Sequence, residues 1–291
     1  MKPAIAAMAV AALTAFAPGT ASAQTADLTT VNSARHRQRE DKLNVRVEFA
    51  LGTFTFGRTQ RGSLYRTSLT YDADIFQPSE HFDAASGTLD LAIDGRVGRR
   101  GTTVELDDLD DIHQELEVYV TPDVPTDIDL EFGAVRAEID FGGLRLNRAK
   151  VATGASESLI EFSTPTLAPC EELEVHVGAA DFRVEQLGNS NCRSMQFEGA
   201  AGALRLDFQG EWQYTGDTDV TIKIGLGALR LYIPRGMGVS VQLDRFLASF
   251  DQAGLIKRGN MYRSRNYDQS TTRINFEIDA AFGDIDIIWI D

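Results

Sequence analysis

The chain has 291 residues, of which 43% are hydrophobic and 24% charged, close to ordinary globular usage. That balance excludes a collagen-like, a wholly disordered or a multi-span membrane protein. Lys and Arg total 28 against 43 Asp and Glu, a formal net charge of -15, and so acidic a surface repels phosphate backbones and argues against a nucleic-acid partner.

Met1 and Lys2 precede an apolar run from Ala4 to Phe16, followed by Pro18, Gly19 and the small-residue site Ala21-Ser22-Ala23. This is the pattern of a secretory signal peptide over 1–23. The run is shorter than the ~20 apolar residues of a bilayer-spanning helix, and no later segment supplies a span. The mature chain is therefore expected to be exported, periplasmic or extracellular. In such a compartment Cys170 and Cys192 are expected to form one disulfide, with two buried thiols as the alternative.

Residues 24–42 are polar, with Arg35, His36, Arg37, Arg39 and Glu40 clustered, and read as a flexible arm. Residues 43–125 read as a less regular β-rich unit, with strands in VRVEFALGTFTFG (45–57), SLYRTSLTYDA (63–73) and GTLDLAI (87–93). An acidic cluster, Glu105, Asp107, Asp108, Asp110 and Asp111, lacks the spacing of a calcium loop and reads as a solvated turn. Pro122 and Pro125 mark a break before the rest of the chain.

From 126 to 291 five segments share one plan, a strand, a glycine break and a second strand: 128–141, 173–187, 195–208, 220–233 and 274–290. Their alternation sets Ile128, Leu130, Phe132, Val135, Ala137 and Ile139 inward in the first, and Ile274, Phe276, Ile278, Ile285 and Ile287 in the last. The break glycines Gly133, Gly154, Gly178, Gly202 and Gly227 are spaced by 21, 24, 24 and 25 residues. Gly283, 56 residues on, reads as two periods plus an insertion at 251–266. A fixed period of this size marks a repeat architecture. The fold class expected is all-β: a stacked β-solenoid or β-helix-like domain of coils of about 24 residues. A β-sandwich of hairpins is the alternative. Cys170 and Cys192 fall at nearly one phase of successive coils, which stack about 4.8 Å apart, within disulfide reach.

The stretches 127–146, 151–162 and 204–212, followed by 222–241, resemble the bacterial toast rack family, related to the C-terminal domain of cell-wall-antibiotic-response membrane proteins. The D-F-x-G-E-W block (Asp207, Phe208, Gly210, Glu211, Trp212) and the G-x-G…P block (Gly225, Gly227, Pro234) carry the likeness, which extends over roughly 43–291. The resemblance implies a β-solenoid-like stack and an envelope location, and supplies no catalytic residues. This chain departs from the antibiotic-response proteins in lacking membrane helices.

The four histidines, His36, His81, His113 and His176, stand far apart in no metal-ligand spacing, and C-x-x-C, P-loop, G-x-S-x-G and dinucleotide motifs are missing. No catalytic residue, metal or cofactor is expected. Arg136, Arg205 and Arg230 each follow a break glycine by three residues, with Glu138 and Asp207 two further on. Stacked, they would form an outward arginine ladder that is either neutralised by its acids or open to an anionic polymer. With Glu211 and Trp212 they make up the candidate ligand surface. The function expected is a non-catalytic envelope scaffold, adhesion or interaction module whose partner is another envelope protein or a wall polymer. One alternative is an envelope stress-response partner of a membrane sensor, docking through an exposed strand edge or the acidic N-terminal unit. The other is a polysaccharide-acting β-helix using Asp207 and Glu211 as acid and base. The apolar run 282–291 calls for capping by 251–266 or for a partner.

Overall fold

The computed structural model describes residues 28–95, 114–213 and 216–291. The leader expected over 1–23 and the acidic cluster 105–111 lie outside them. The described residues form fifteen strands and two short 3-10 turns, Leu187–Ser190 and Tyr267–Gln269. In chain order the strands are β1 (Leu28–His36), β2 (Leu43–Arg58), β3 (Ser63–Asp72), β4 (Phe76–Asp83), β5 (Thr88–Gly95), β6 (Glu115–Val120), β7 (Pro125–Asp140), β8 (Arg145–Glu161), β9 (Cys170–Glu185), β10 (Cys192–Asp207), β11 (Gly216–Pro234), β12 (Gly238–Asp251), β13 (Leu255–Arg258), β14 (Met261–Ser264) and β15 (Thr272–Ile290).

The eight long strands pair in parallel in the order β2-β7-β8-β9-β10-β11-β15-β12. Parallel pairing rules out the hairpins of a sandwich for this block. Between β7 and β8 only residues 141–144 intervene, a link of at most about 17 Å. Sixteen extended residues would span about 53 Å. Each long strand must therefore turn back near its middle. The burial pattern marks the corner: in β7, Ile128, Leu130 and Phe132 are buried, then Val135, Ala137 and Ile139, so the inward phase shifts across Gly133. The rows expected to face inward in β15 are buried too.

The corner glycines divide into two columns, not one. Gly133, Gly154 and Gly178 stack on each other, a Cβ at Gly154 coming 3.1 Å from the Gly133 carbonyl oxygen. An alanine column, Ala134–Ala155–Ala179–Ala201, runs beside them. Beyond it Gly202, Gly227 and Gly283 pair in register. Equal sequence spacing concealed this two-residue offset because the connections differ in length.

The 56-residue gap before Gly283 also has another cause than a double period. β15 enters between β11 and β12, so Gly283 lies one rung from Gly227, and β12 is displaced outward. Ile274, Phe276, Ile278, Ile285 and Ile287 suit β15 to a slot paired on both edges, whereas β12 carries Arg245 in the inward phase and fits an end.

Cys170 and Cys192 are register partners on β9 and β10 and form the expected disulfide, with Cα atoms 4.1 Å apart.

At the other end, β5 and β6 share the outer edge of β2, pairing Asn44–Phe49 and Thr53–Arg58 respectively. β4 covers β5 and β3 covers β6, both antiparallel, and β1 lies on β3. β1 falls within the segment read as a flexible arm. It is ordered there by nine register pairs with β3, and Arg35 on it reaches the buried Glu40 carboxylate at 3.3 Å. Glu40 Oε2 also accepts the Gln38 N–H at 2.6 Å.

Candidate functional site

The outward faces of the parallel strands carry charged rows. Arg183, Arg205 and Arg230 are successive register partners on β9, β10 and β11, and the row continues into acids, Asp286 of β15, 4.0 Å from Arg230, and then Asp251 of β12. Arg136 lies in a different row. It pairs with Glu157, 3.9 Å away, while Glu138, two residues on, is in line with Arg183 through Leu159. The ladder thus contains Arg205 and Arg230 as expected, gains Arg183 and leaves Arg136 two positions aside. Counting from the glycines concealed Arg183, because Gly178 belongs to the first glycine column and Gly202 to the second.

A carboxylate row runs beside the arginines. Asp140, Glu161 and Glu185 are register partners, and Asp207 follows Leu206, the partner of Val184. Burial pushes the Glu161 carboxyl up from its ordinary value, and the charges of Asp140 and Glu185 add to the shift. Asp207 is raised as well, by burial and by the Glu185 charge, against the Gln209 N–H that its Oδ1 accepts at 2.9 Å. Like charges stacked on neighbouring strands disfavour full ionisation.

Along the corner the same face forms an open groove of about 730 Å³, lined by Glu131, Thr153, His176, Glu198, Lys223 and Asp279 over Gly154, Gly178 and Gly225. His176 does point outward, as its alternation predicts, but it is bracketed: Nε2 lies 2.6 Å from Glu174 Oε1 and Nδ1 3.2 Å from Glu198 Oε2. Lys223 Nζ donates to Glu198 Oε1 at 2.7 Å, and that bond is the main cause holding the Glu198 carboxyl below its usual range. Among the described residues no group of three or more His, Cys, Asp or Glu is placed to hold a metal ion.

Glu211 and Trp212 serve the connections between strands. Trp212 is half-buried, donates its indole N–H to the Phe208 carbonyl at 3.0 Å and packs so close to Gly188 that a Cβ there would come 2.5 Å from Nε1. The Glu211 side chain is exposed, while its backbone N–H donates to Asn189 Oδ1 at 2.7 Å. Asn189 itself is buried, and its Nδ2 donates to the Phe162 carbonyl at 2.8 Å. Asn191 repeats the device: its Oδ1 accepts the Gln213 N–H at 3.1 Å, and its Nδ2 reaches Thr166 Oγ1 at 3.4 Å. These two asparagines tie three successive connections together, and the sequence reading missed both.

Chemically, the rows present charge at a fixed repeat of about 4.8 Å, each exposed pair contributing about 0–1 kcal/mol to the fold. Pairs that weak can be exchanged for a partner's charges at little loss. Two family models cover most of the chain. Residues 21–170 match the one described as the N-terminal domain of toast_rack, DUF2154. The chain belongs to the toast rack family. Residues 181–287 match the model described as cell wall-active antibiotics response LiaF, C-terminal. No curated protein matches the chain. Among solved structures, the toast rack chain is similar to a "putative cell adhesion protein" from Clostridium sporogenes, at 18% identity and TM-score 0.47, over 90% of this chain and 100% of that one. It is also similar to a "putative adhesin" from Bacteroides fragilis, at 11% identity and TM-score 0.41, over 89% of this chain and 98% of that one. Among the described residues no helix is long and apolar enough to cross a membrane.

Proposed function

We propose that this toast rack protein is an exported, non-catalytic β-solenoid of the cell envelope, built of coils of about 24 residues, that binds an envelope protein or wall polymer along its charged rows. The observation that carries this reading is the row Arg183–Arg205–Arg230 laid in register beside Asp140–Glu161–Glu185–Asp207. Such rows match a partner that is itself extended and repetitive, with bidentate contacts available to each guanidinium. The signal-peptide pattern and the disulfide fit an oxidising compartment outside the cytoplasm. A second reading, an envelope stress-response partner of a membrane sensor, draws on the match of residues 181–287 to the antibiotic-response model.

The test is capture by the tagged mature protein from cross-linked envelope, alongside binding to purified wall polymers. The expected result is one specific protein or polymer, retained several-fold less by the triple variant Arg183→Ala, Arg205→Ala, Arg230→Ala. Equal retention by that variant would remove the rows from the account. Release of reducing sugar by the wild type but not by Asp207→Asn would replace binding with catalysis.

A further inference from the structure

The hairpin β13–β14 covers part of the last rung, β14 pairing with Ser240, Val241 and Gln242 of β12. Its charge runs against that of the chain. From Leu255 to Arg265 it carries Lys257, Arg258, Arg263 and Arg265 and no carboxylate, in a protein of net charge -15. Between the hairpin, the connection after β11 and the end of β15 lies a cavity of about 450 Å³, lined by Arg235, Leu255, Ile256, Arg265, Asn266 and Trp289. That is the size of a small-molecule site.

The walls are held from behind. Asn266 Nδ2 donates to the carbonyls of Arg235, Gly236 and Met237 at 3.4, 3.2 and 3.1 Å, which fixes the connection carrying Arg235. Trp289 donates its indole N–H to the Ala253 carbonyl at 2.8 Å. Gly254, at φ +83°, brings the backbone so near that a Cβ there would come 2.6 Å from Nε1. With its N–H used, the half-buried Trp289 ring offers apolar surface, as does Ile256, 43% exposed.

The two arginines are differently engaged. Arg265 is exposed and holds no ion pair among the described residues. Arg235 Nε donates to Asp291 Oδ1 at 2.9 Å, the two side chains being 64% and 95% exposed. A pair so exposed is weak, and an incoming anion that meets both guanidiniums can displace the Asp291 carboxylate. A sugar ring has a face of C–H groups that packs on apolar surface, and its hydroxyls can donate to an amide oxygen such as Asn266 Oδ1.

We propose that this end cavity binds a sugar unit bearing a carboxylate or phosphate, with the anion at Arg235 and Arg265 and the ring against Trp289 and Ile256. The cavity shares no residue with the charged rows, so either site can fail without the other.

Titration calorimetry of residues 24–291 with digalacturonate, glucose 6-phosphate, cellobiose and inorganic phosphate tests this. At least one charged sugar is expected to bind with a Kd below about 1 mM, and which one does so tells whether carboxylate or phosphate is taken. Cellobiose and inorganic phosphate should each bind at least about tenfold more weakly. Arg235→Ala and Arg265→Ala, at exposed positions, should keep the wild-type melt and weaken binding at least about tenfold. Asp291→Asn removes the internal competitor and should tighten binding about threefold, a gain that misfolding does not produce. The triple variant Arg183→Ala, Arg205→Ala, Arg230→Ala should bind like the wild type. No binding of either charged sugar overturns the proposal, as does inorganic phosphate or cellobiose binding as tightly as they do. So do arginine variants that bind like the wild type, or an Asp291→Asn variant that binds no tighter. Loss of binding in the triple variant assigns the sugar to the rows and overturns it too.

Discussion

Asn189 is one side chain with hydrogen bonds above and below it in the stack, to the Phe162 carbonyl and to the Glu211 N–H. Both are backbone groups in tight connections, the first fully buried and the second partly so. Asn189→Ala strands them at about 1–3 kcal/mol each, so the variant should lose about 3 kcal/mol in urea unfolding. A loss within about 0.5 kcal/mol, the range of a neutral surface change, would show that the connections hold without it. The carboxylate row acts in the opposite direction. Glu161 and Asp207 have folded pKa values above their unfolded ones, so the native state binds their protons more tightly. The stability they add is fully present below the unfolded pKa and is lost as pH rises through the folded pKa. Mild acidification from neutrality toward about pH 5 should therefore stabilise the protein, and Glu161→Gln should flatten that part of the profile and raise the neutral melting temperature. At lower pH the trend reverses as Glu40 is protonated. Despite its burial, the Gln38 N–H, its own backbone N–H and Arg35 hold that carboxyl below the usual range. At this scale the sequence disclosed side chains in proportion to how far alternation governs them. His176 and the inward rows were readable, whereas Asn189 and Asn191 lie in an aperiodic connection, where nothing local announces a role.

Among the elements, the glycine column Gly202–Gly227–Gly283 is the tightest constraint. Gly227 has φ +148°, and a Cβ there would run into the Gly202 carbonyl oxygen. The obstacle is backbone of the next strand, which cannot rotate away. Gly227→Ala is expected to cost about 3 kcal/mol or more, read as a fall in melting temperature and in soluble yield. Gly236, with nothing within 4 Å of its Cβ position, is the control, and Gly236→Ala should stay within about 0.5 kcal/mol of the wild type. Strand content, inward rows and the disulfide were legible because each rests on local alternation or on phase. The rung order was not. β12 and β15 both carry a glycine or alanine at the corner and apolar residues in the same phase, so either could follow β11. What separates them is the cost of placing Arg245 in the inward phase of an interior rung, a comparison between strands rather than a pattern within one.

For the whole molecule, the stack has one end closed by antiparallel strands β1, β3 and β4 and another closed in part by β13–β14. The two ends therefore meet different fates, the first shielded and the second available. The late entry of β15 into the slot between β11 and β12 bears on how the molecule is made. Under the export proposed above, a chain delivered from its N-terminus presents β12 before β15 exists outside, and the place of β15 must be kept open or reopened when it arrives. Synthesis order and spatial order part company at this point, so the emerging polypeptide cannot lock its last rungs one at a time as it does the earlier ones. A chain stopped after Ser264 is expected to lose β12 to protease along with the missing strand, leaving β2 through β11 resistant. Pulse proteolysis of that truncation, read by fragment mass, would reveal β15 as the piece that fastens a strand made before it.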